Sequence, residues 1–233
     1  MTKNESKLVE LYKERKDDFE HFKNQVVLFF QDPNLKFDSV RIVHSVKSRM
    51  KDPDHLVDKL SRKKKEGRNI TTKNLFEEIT DFAGVRVLLL YQQQFQKIHS
   101  CIKDKCEKGG WVLAEKPIAY TWDPETEEFY KKLGIDTKIK DSYYTSIHYV
   151  IKPNKNSDLS CEIQVRTLFE EIWGEIDHTI NYPHKTDCVA CQEELRVLSK
   201  LVSTGTRLAD SIFKNYALHN LTKVPKPRQK KIR

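Results

Sequence analysis

No stretch of the 233 residues is apolar for long enough to cross a bilayer: the longest runs, Val26 to Phe30 and Val87 to Tyr91, fall far short of the roughly 18 to 20 residues a helical span needs. The first residues, Met1 to Val9, are polar and have no apolar signal core, so a cytoplasmic location is expected. Five cysteines are an odd number, which with no export signal argues for reduced thiols rather than a disulfide framework. His184, Cys188 and Cys191 stand at helix-like spacing, but no second pair at matching distance accompanies them as in structural zinc sites, and they read as helix-surface thiols. No internal repeat is present. What remains is a globular chain, 38% hydrophobic, with material for a core.

Lys and Arg outnumber Asp and Glu by 42 to 34, a formal net charge of +8, which favours anionic ligands, nucleotides first and RNA second. A well-solvated basic protein without a polyanion partner is the alternative on charge alone. Leu8, Leu11, Tyr12, Phe19, Phe22, Val26 and Phe30 predict an amphipathic helix that stops at Asp32-Pro33. Alternation then predicts a strand over Val40 to Met50, and a helix follows from Pro53 to Lys65 with Leu56, Val57 and Leu60 inward. Further strands are expected at Val85 to Tyr91, Tyr144 to Lys152 and Leu159 to Thr167, and helices at Phe95 to Glu107 and beyond Leu168. Trp111 to Tyr120 reads as extended, and Thr121 to Lys140 as a polar loop or insertion. These elements predict an α+β fold, a mixed β-sheet of about five strands flanked by helices. The expected divisions are an N-terminal helical extension (1–37), a central domain (38–183), a C-terminal helical region (184–223) and a basic disordered tail (224–233).

Four constellations carry chemistry. Along Cys161 to Thr167, alternation puts Glu162, Gln164 and Arg166 on one face, a candidate active-site floor or else an ordinary solvent face of an edge strand. On the neighbouring strand Tyr144, Ser146 and His148 share a face, an arrangement that suits a purine nucleotide; a packed tyrosine and a structural histidine are the plainer reading. Asp81 stands just before a strand, with Gly84 permitting close backbone approach and Arg86 following. Paired with a second carboxylate such as Glu162, it meets the needs of a phosphate-bound Mg²⁺; a helix cap is the alternative. The fourth constellation is cationic, with Arg49 and Lys51 on one strand face, Lys59 on the next helix and Arg62 to Lys65 after it, set to hold phosphates and a purine plane or else simply solvated.

In this order the four resemble the synthetase domain of the RelA/SpoT family. Ser48-Arg49-Met50-Lys51-Asp52-Pro53 with Lys59 is similar to the family's donor-site strand, and Asp81-Phe82-Ala83-Gly84-Val85-Arg86 to its D-x-A-G-x-R segment. Tyr144-Thr145-Ser146-Ile147-His148 is similar to Y-x-S-x-H, and Glu162-Ile163-Gln164-Val165-Arg166-Thr167 to E-I-Q-x-R-T. Trp173 to Tyr182 resembles the helix that follows in small stand-alone members.

The resemblance implies a nucleotidyltransferase-like fold and a GTP diphosphokinase: pyrophosphate moves from ATP to the ribose 3′-hydroxyl of GDP or GTP, giving the alarmones ppGpp and pppGpp. It implies that Arg49 and Arg86 stack on adenine, that Ser48 belongs to the ATP site, and that Lys51 and Lys59 hold the donor phosphates. Asp81 and Glu162 would bind Mg²⁺, Glu162 also taking the hydroxyl proton. Tyr144 would stack on guanine, with His148, Gln164 and Lys140 near the acceptor. Alternative acceptors are the 3′ end of tRNA and an adenine nucleotide; a non-catalytic nucleotide-binding module is the reading from a different class. No His-Asp dipeptide of the family's hydrolase site is present, so synthesis without degradation is expected. A homo-oligomer, often a tetramer in small members, stands beside a self-packed monomer. Two departures fall on the acceptor side: Tyr143 where the family usually has Gly, and Asp141-Ser142 just before it.

Overall fold

The computed structural model describes residues 2–37, 40–182 and 184–222; the basic tail and Pro183 lie outside the described residues. Thr2 opens the first helix, α1 (Lys3–Gln31), through a capping box with Glu5, and Asp32 closes it. Then come β1 (Lys36–Phe37), β2 (Val40–Arg41) and β3 (Ser45–Met50), followed by α2 (Pro53–Lys65). Asp52 caps α2 by accepting from the backbone N–H groups of Asp54 and His55, and Pro53 supplies a first-turn residue with no donor to lose. The chain continues through α3 (Leu75–Glu78), β4 (Ala83–Leu89), α4 (Gln94–Glu107), β5 (Val112–Leu113) and β6 (Ile118–Thr121). It ends in α5 (Pro124–Lys132), β7 (Asp136–Ile139), β8 (Ser146–Lys152), β9 (Cys161–Thr167), α6 (Leu168–Asn181) and α7 (Val189–Thr222).

Seven strands form the main sheet among the described residues, in the order β3-β4-β9-β8-β6-β7, with β5 on the far half of β8. β4 and β9 run parallel, as do β6 and β7, and the other pairings are antiparallel. The polar segment from Thr121 to Lys140 is not a loop: it holds α5 and β7. Tyr130, 2% exposed, anchors α5 in the core, and Thr137 donates to Glu127 to tie β7 to that helix. Their charged exposed faces hide both elements from a hydrophobic-pattern reading, and β7 shows no buried position in its four residues.

The two faces of the sheet have different fates. Val85, Val87, Ile163, Val165, Ile147, Tyr149 and Ile151 point to one face and are buried with α1 and α4, where Tyr12, Phe19, Phe30, Phe95 and Ile98 complete the core. Residues of the opposite face are mostly polar, Leu88 and Val150 excepted, and α6 lies over part of it, backed by α7. Asp123 fixes α7 against the start of α5 by accepting from the hydroxyls of Thr126 and Ser203 and from Arg207. The uncovered remainder of that polar face is the candidate site. Just before α7 and in its first turn, Cys188 and Cys191 are free thiols.

Candidate active site

Strand register assembles the site. Arg49 pairs with Gly84, Gly84 with Glu162, Arg86 with Gln164, and Gln164 with His148. Side chains in register share a face, so Arg49, Arg86, Glu162, Gln164 and His148 all project to one side of four adjacent strands. Arg49 and Arg86 are diagonal neighbours, a relation that spaces strand residues by roughly 7–8 Å, about twice a stacking distance. Gly84 lies between them; a Cβ there would come within 3.7 Å of Arg49 Cγ. Ser48, one step along the edge strand, alternates to the face of Val46 and Met50 yet still lines the same cavity.

Asp81 is fixed from below by its neighbour. Phe82 is fully buried against Tyr12, Phe19 and Phe76. Its carbonyl accepts from Lys51 N–H at 2.8 Å, and the Thr80 carbonyl accepts from the Ser160 hydroxyl at 3.0 Å. Alternation then turns the Asp81 carboxylate to the opposite side, where Lys51 Nζ meets Oδ2 at 2.9 Å and Lys59 Nζ meets Oδ1 at 2.8 Å. Burial works against charge on Asp81, but Lys59 and Lys51 outweigh it and hold the carboxyl below its usual range. Burial draws Lys51 below the usual lysine value despite its carboxylate partner, with Lys59 and Arg49 adding repulsion.

Glu162 heads a hydrogen-bonded relay. Its Oε1 lies 3.0 Å from His148 Nδ1, and Oε2 accepts from Gln164 Nε2 at 2.8 Å. His148 Nε2 lies 3.0 Å from the Tyr144 hydroxyl. An ionised carboxylate only accepts, so a neutral His148 carries its proton on Nδ1 and accepts from Tyr144 at Nε2. Burial pushes Glu162 up and the Asp81 charge adds to this, yet His148 and Gln164 outweigh both and keep the carboxyl below its usual range.

Two cavities meet here. One, of about 430 Å³, is lined by Arg49, Asp81, Arg86, Glu162 and Gln164; the other, of about 520 Å³, by Lys59, Arg62, Tyr120, Lys140 and His148. Tyr144 lines both and stands between them. Each is large enough for a nucleotide. In the second, Lys140 Nζ sits 4.7 Å from the Tyr120 ring centroid, and the Tyr120 ring meets His148 edge-on. The expected residues are thus brought together, with three shifts of position. Lys59 lines the second cavity rather than the first, Gln164 the first rather than the second, and Lys51 lies beneath Asp81 and lines neither.

Between Asp81 and Glu162 the hard oxygens of two carboxylates face one cavity, close enough for each charge to act on the other. Such a donor set fits Mg²⁺, which takes one or two carboxylates and fills its octahedron with phosphate oxygens and water. Among the described residues no group of three or more His, Cys, Asp or Glu side chains is placed to hold a metal ion.

A family model described as the region found in RelA/SpoT proteins matches residues 48–187. The chain belongs to the RelA/SpoT family. A curated relative, the GTP pyrophosphokinase YwaC of Bacillus subtilis, is 28% identical over 162 residues, 67% of this chain. The match spans 66% of that protein's length, just under two thirds. The fold matches the small alarmone synthetase 1 from Bacillus subtilis with a TM-score of 0.68 at 16% identity, covering 88% of this chain and 97% of that one. The same synthetase bound to its product pppGpp matches at 0.62 and 18% identity, over 85% and 92% of the two chains.

Within the RelA/SpoT frame, pattern reading missed the acidic residues of α6. Glu171, 5% exposed, accepts from Lys47 and Arg86 through Oε1 at 2.8 and 2.9 Å and pairs with Arg166 through Oε2 at 2.6 Å. Glu175 takes a second, short contact from Arg86. Burial pushes Glu171 up, but Lys47, Arg166 and Arg86 together hold it below the usual carboxylate range. The available signal was the i,i+4 spacing of Glu171 and Glu175 on a helix that directly follows the polar strand.

Proposed function

We propose that the chain is an ATP:GTP 3′-diphosphotransferase, which moves the terminal pyrophosphate of ATP to the ribose 3′-hydroxyl of GDP or GTP and releases AMP. The observation that carries this reading is the placement of Glu162: it lines the cavity of the paired arginines and hydrogen-bonds to His148, which lines the other. A group at the seam of two nucleotide-sized cavities suits a transfer between two nucleotides. Membership of the RelA/SpoT family and the activity named for the curated relative support the same chemistry.

In the proposed mechanism Arg49 and Arg86 sandwich the adenine of ATP, with Ser48 lining their cavity. Lys59, between Asp81 and the second cavity, steadies the phosphates, and Lys51 keeps Asp81 ionised and in place. Tyr144 stacks on guanine, with Lys140 and His148 at the acceptor and Gln164 orienting Glu162. Asp81 and Glu162 would hold Mg²⁺, which when bound neutralises charge on the transferring phosphates. Glu162 takes the proton from the 3′-hydroxyl while that oxygen bonds to the β-phosphorus; the bond from β-phosphorus to the bridging oxygen breaks, and AMP leaves with the electron pair. A carboxylate held below its usual range is a weak resting base, so positioning supplies most of the rate and proton removal roughly 10² to 10⁴. A cytoplasmic location and self-association belong to the same proposal.

ATP labelled on its γ-phosphate, incubated separately with GDP, GTP, ATP and bulk tRNA, tests the acceptor. Label is expected on the guanine nucleotides; label on tRNA alone would overturn the assignment. Tyr144→Ala should raise the acceptor KM about tenfold or more while leaving the donor KM within about threefold; collapse of ATP affinity instead would mean the two cavities are exchanged.

A further inference from the structure

Glu171 joins three adjacent strands through one buried carboxylate. Lys47 comes from β3, Arg86 from β4 and Arg166 from β9. The two arginines differ in their support. Arg86 has two carboxylates, Glu171 and the exposed Glu175, whereas the carboxylate paired with Arg166 is Glu171. Arg166 is 3% exposed, and its guanidinium carbon lies 5.8 Å from the centroid of the Tyr144 ring, within reach of a cation–π contact. Space for it comes from Gly174, where a Cβ would fall 2.5 Å from Arg166 Nη1. Both arginines line the cavity of the donor, but Arg166 also backs the ring that separates donor from acceptor.

We propose that Glu171 is a positioning residue for the acceptor: it holds Arg166 against Tyr144 and so sets the ring on which the acceptor base stacks, while Arg86 has Glu175 as a second carboxylate. This rests on the reading of the two cavities given above. The division of labour follows from which charge is left uncompensated. Without Glu171 the buried Arg166 loses its counter-charge and must move or draw in water, and Tyr144 moves with it. Arg86 keeps Glu175 and stays. Without Glu175, Arg86 keeps the buried Glu171, and Arg166 and Tyr144 are unaffected.

The test compares Glu171→Gln and Glu175→Gln by calorimetric binding of GDP and of a non-hydrolysable α,β-methylene ATP analogue with Mg²⁺, alongside label transfer by the unaltered protein. Glu171→Gln is expected to weaken GDP about tenfold or more and the ATP analogue by no more than about threefold, with Glu175→Gln leaving both within about threefold. Equal losses for both ligands, or unchanged GDP affinity in Glu171→Gln, would overturn the proposal. A failure of the unaltered protein to transfer label would fault the catalytic reading and leave the binding comparison to stand or fall by itself. The double variant Arg166→Met with Glu171→Met removes both buried charges at similar volume and guards against a loss of folding. It should recover thermal stability relative to Glu171→Gln while GDP binding stays weak; GDP binding restored to the original level would show that Glu171 merely neutralises Arg166.

Discussion

Tyr143 holds φ at +62°, in the left-handed region where a Cβ crowds the following carbonyl and glycine is favoured. It is the position at which the RelA/SpoT pattern usually has Gly, so the departure keeps the backbone shape and accepts strain of about 1 kcal/mol or more. An edge-on contact with the Trp122 ring, centroids 5.4 Å apart, offsets part of that cost. The consequence is an inverted stability order. Tyr143→Ala loses the ring and keeps the strain, whereas Tyr143→Gly loses the ring and relieves it, so glycine should be the more stable of the two by about 1 kcal/mol in urea denaturation. Alanine more stable than glycine would show that the residue is not strained. The residues whose placement was most legible in the sequence were Glu162, by strand alternation, and Asp81 and Tyr144, by their position just before a strand. Glu171 was not legible, because its role depends on where α6 crosses the sheet, and nothing in the spacing of a helix states which strands it will cover.

Among the elements, α6 is the one that closes the site from above. Its first turn is fixed by a capping box in which Thr167 accepts from the Glu170 N–H and Glu170 accepts from the Thr167 N–H at 2.6 Å. Burial pushes the Glu170 carboxyl from 4.5 up to about 7, the backbone and hydroxyl of Thr167 opposing this. A carboxyl raised in the folded state holds its proton more tightly there, so its contribution is complete below pH 4.5 and is lost as pH rises through about 7. Glutamine serves a capping box equally well and does not ionise. Glu170→Gln should therefore gain on the unaltered protein between pH 5 and pH 8 by up to about 3 kcal/mol, read by thermal unfolding at both values. A stability difference independent of pH would contradict the raised carboxyl. At this scale the parallel core pair β4 and β9 and the helices α1, α2 and α4 could be read from periodicity and caps. β7 and α5 could not, since neither carries a clear apolar repeat, and β5 is only two residues long.

At the scale of the molecule, the polar face of the sheet gathers a cationic surplus about two carboxylates, which accords with a net charge of +8 and with phosphate-bearing substrates. On the opposite side of α6, the long α7 leaves Val197, Leu201, Leu208, Ile212 and Tyr216 more than half exposed along one stripe. Self-association through this stripe is expected: light scattering should give a mass above that of one chain, and Leu201→Lys with Leu208→Lys should return it to one. A single-chain mass in the unaltered protein would contradict it. The proposed reaction depends on Glu162 acting in the transfer step rather than in nucleotide binding. Single-turnover transfer from labelled ATP to GDP by Glu162→Gln measures this most directly, with the affinity for ATP determined on the same sample. The expected result is a rate lowered by at least about 10² with ATP affinity within a few-fold of the original. Transfer at an undiminished rate would remove Glu162 from the reaction, and with it the mechanism set out here.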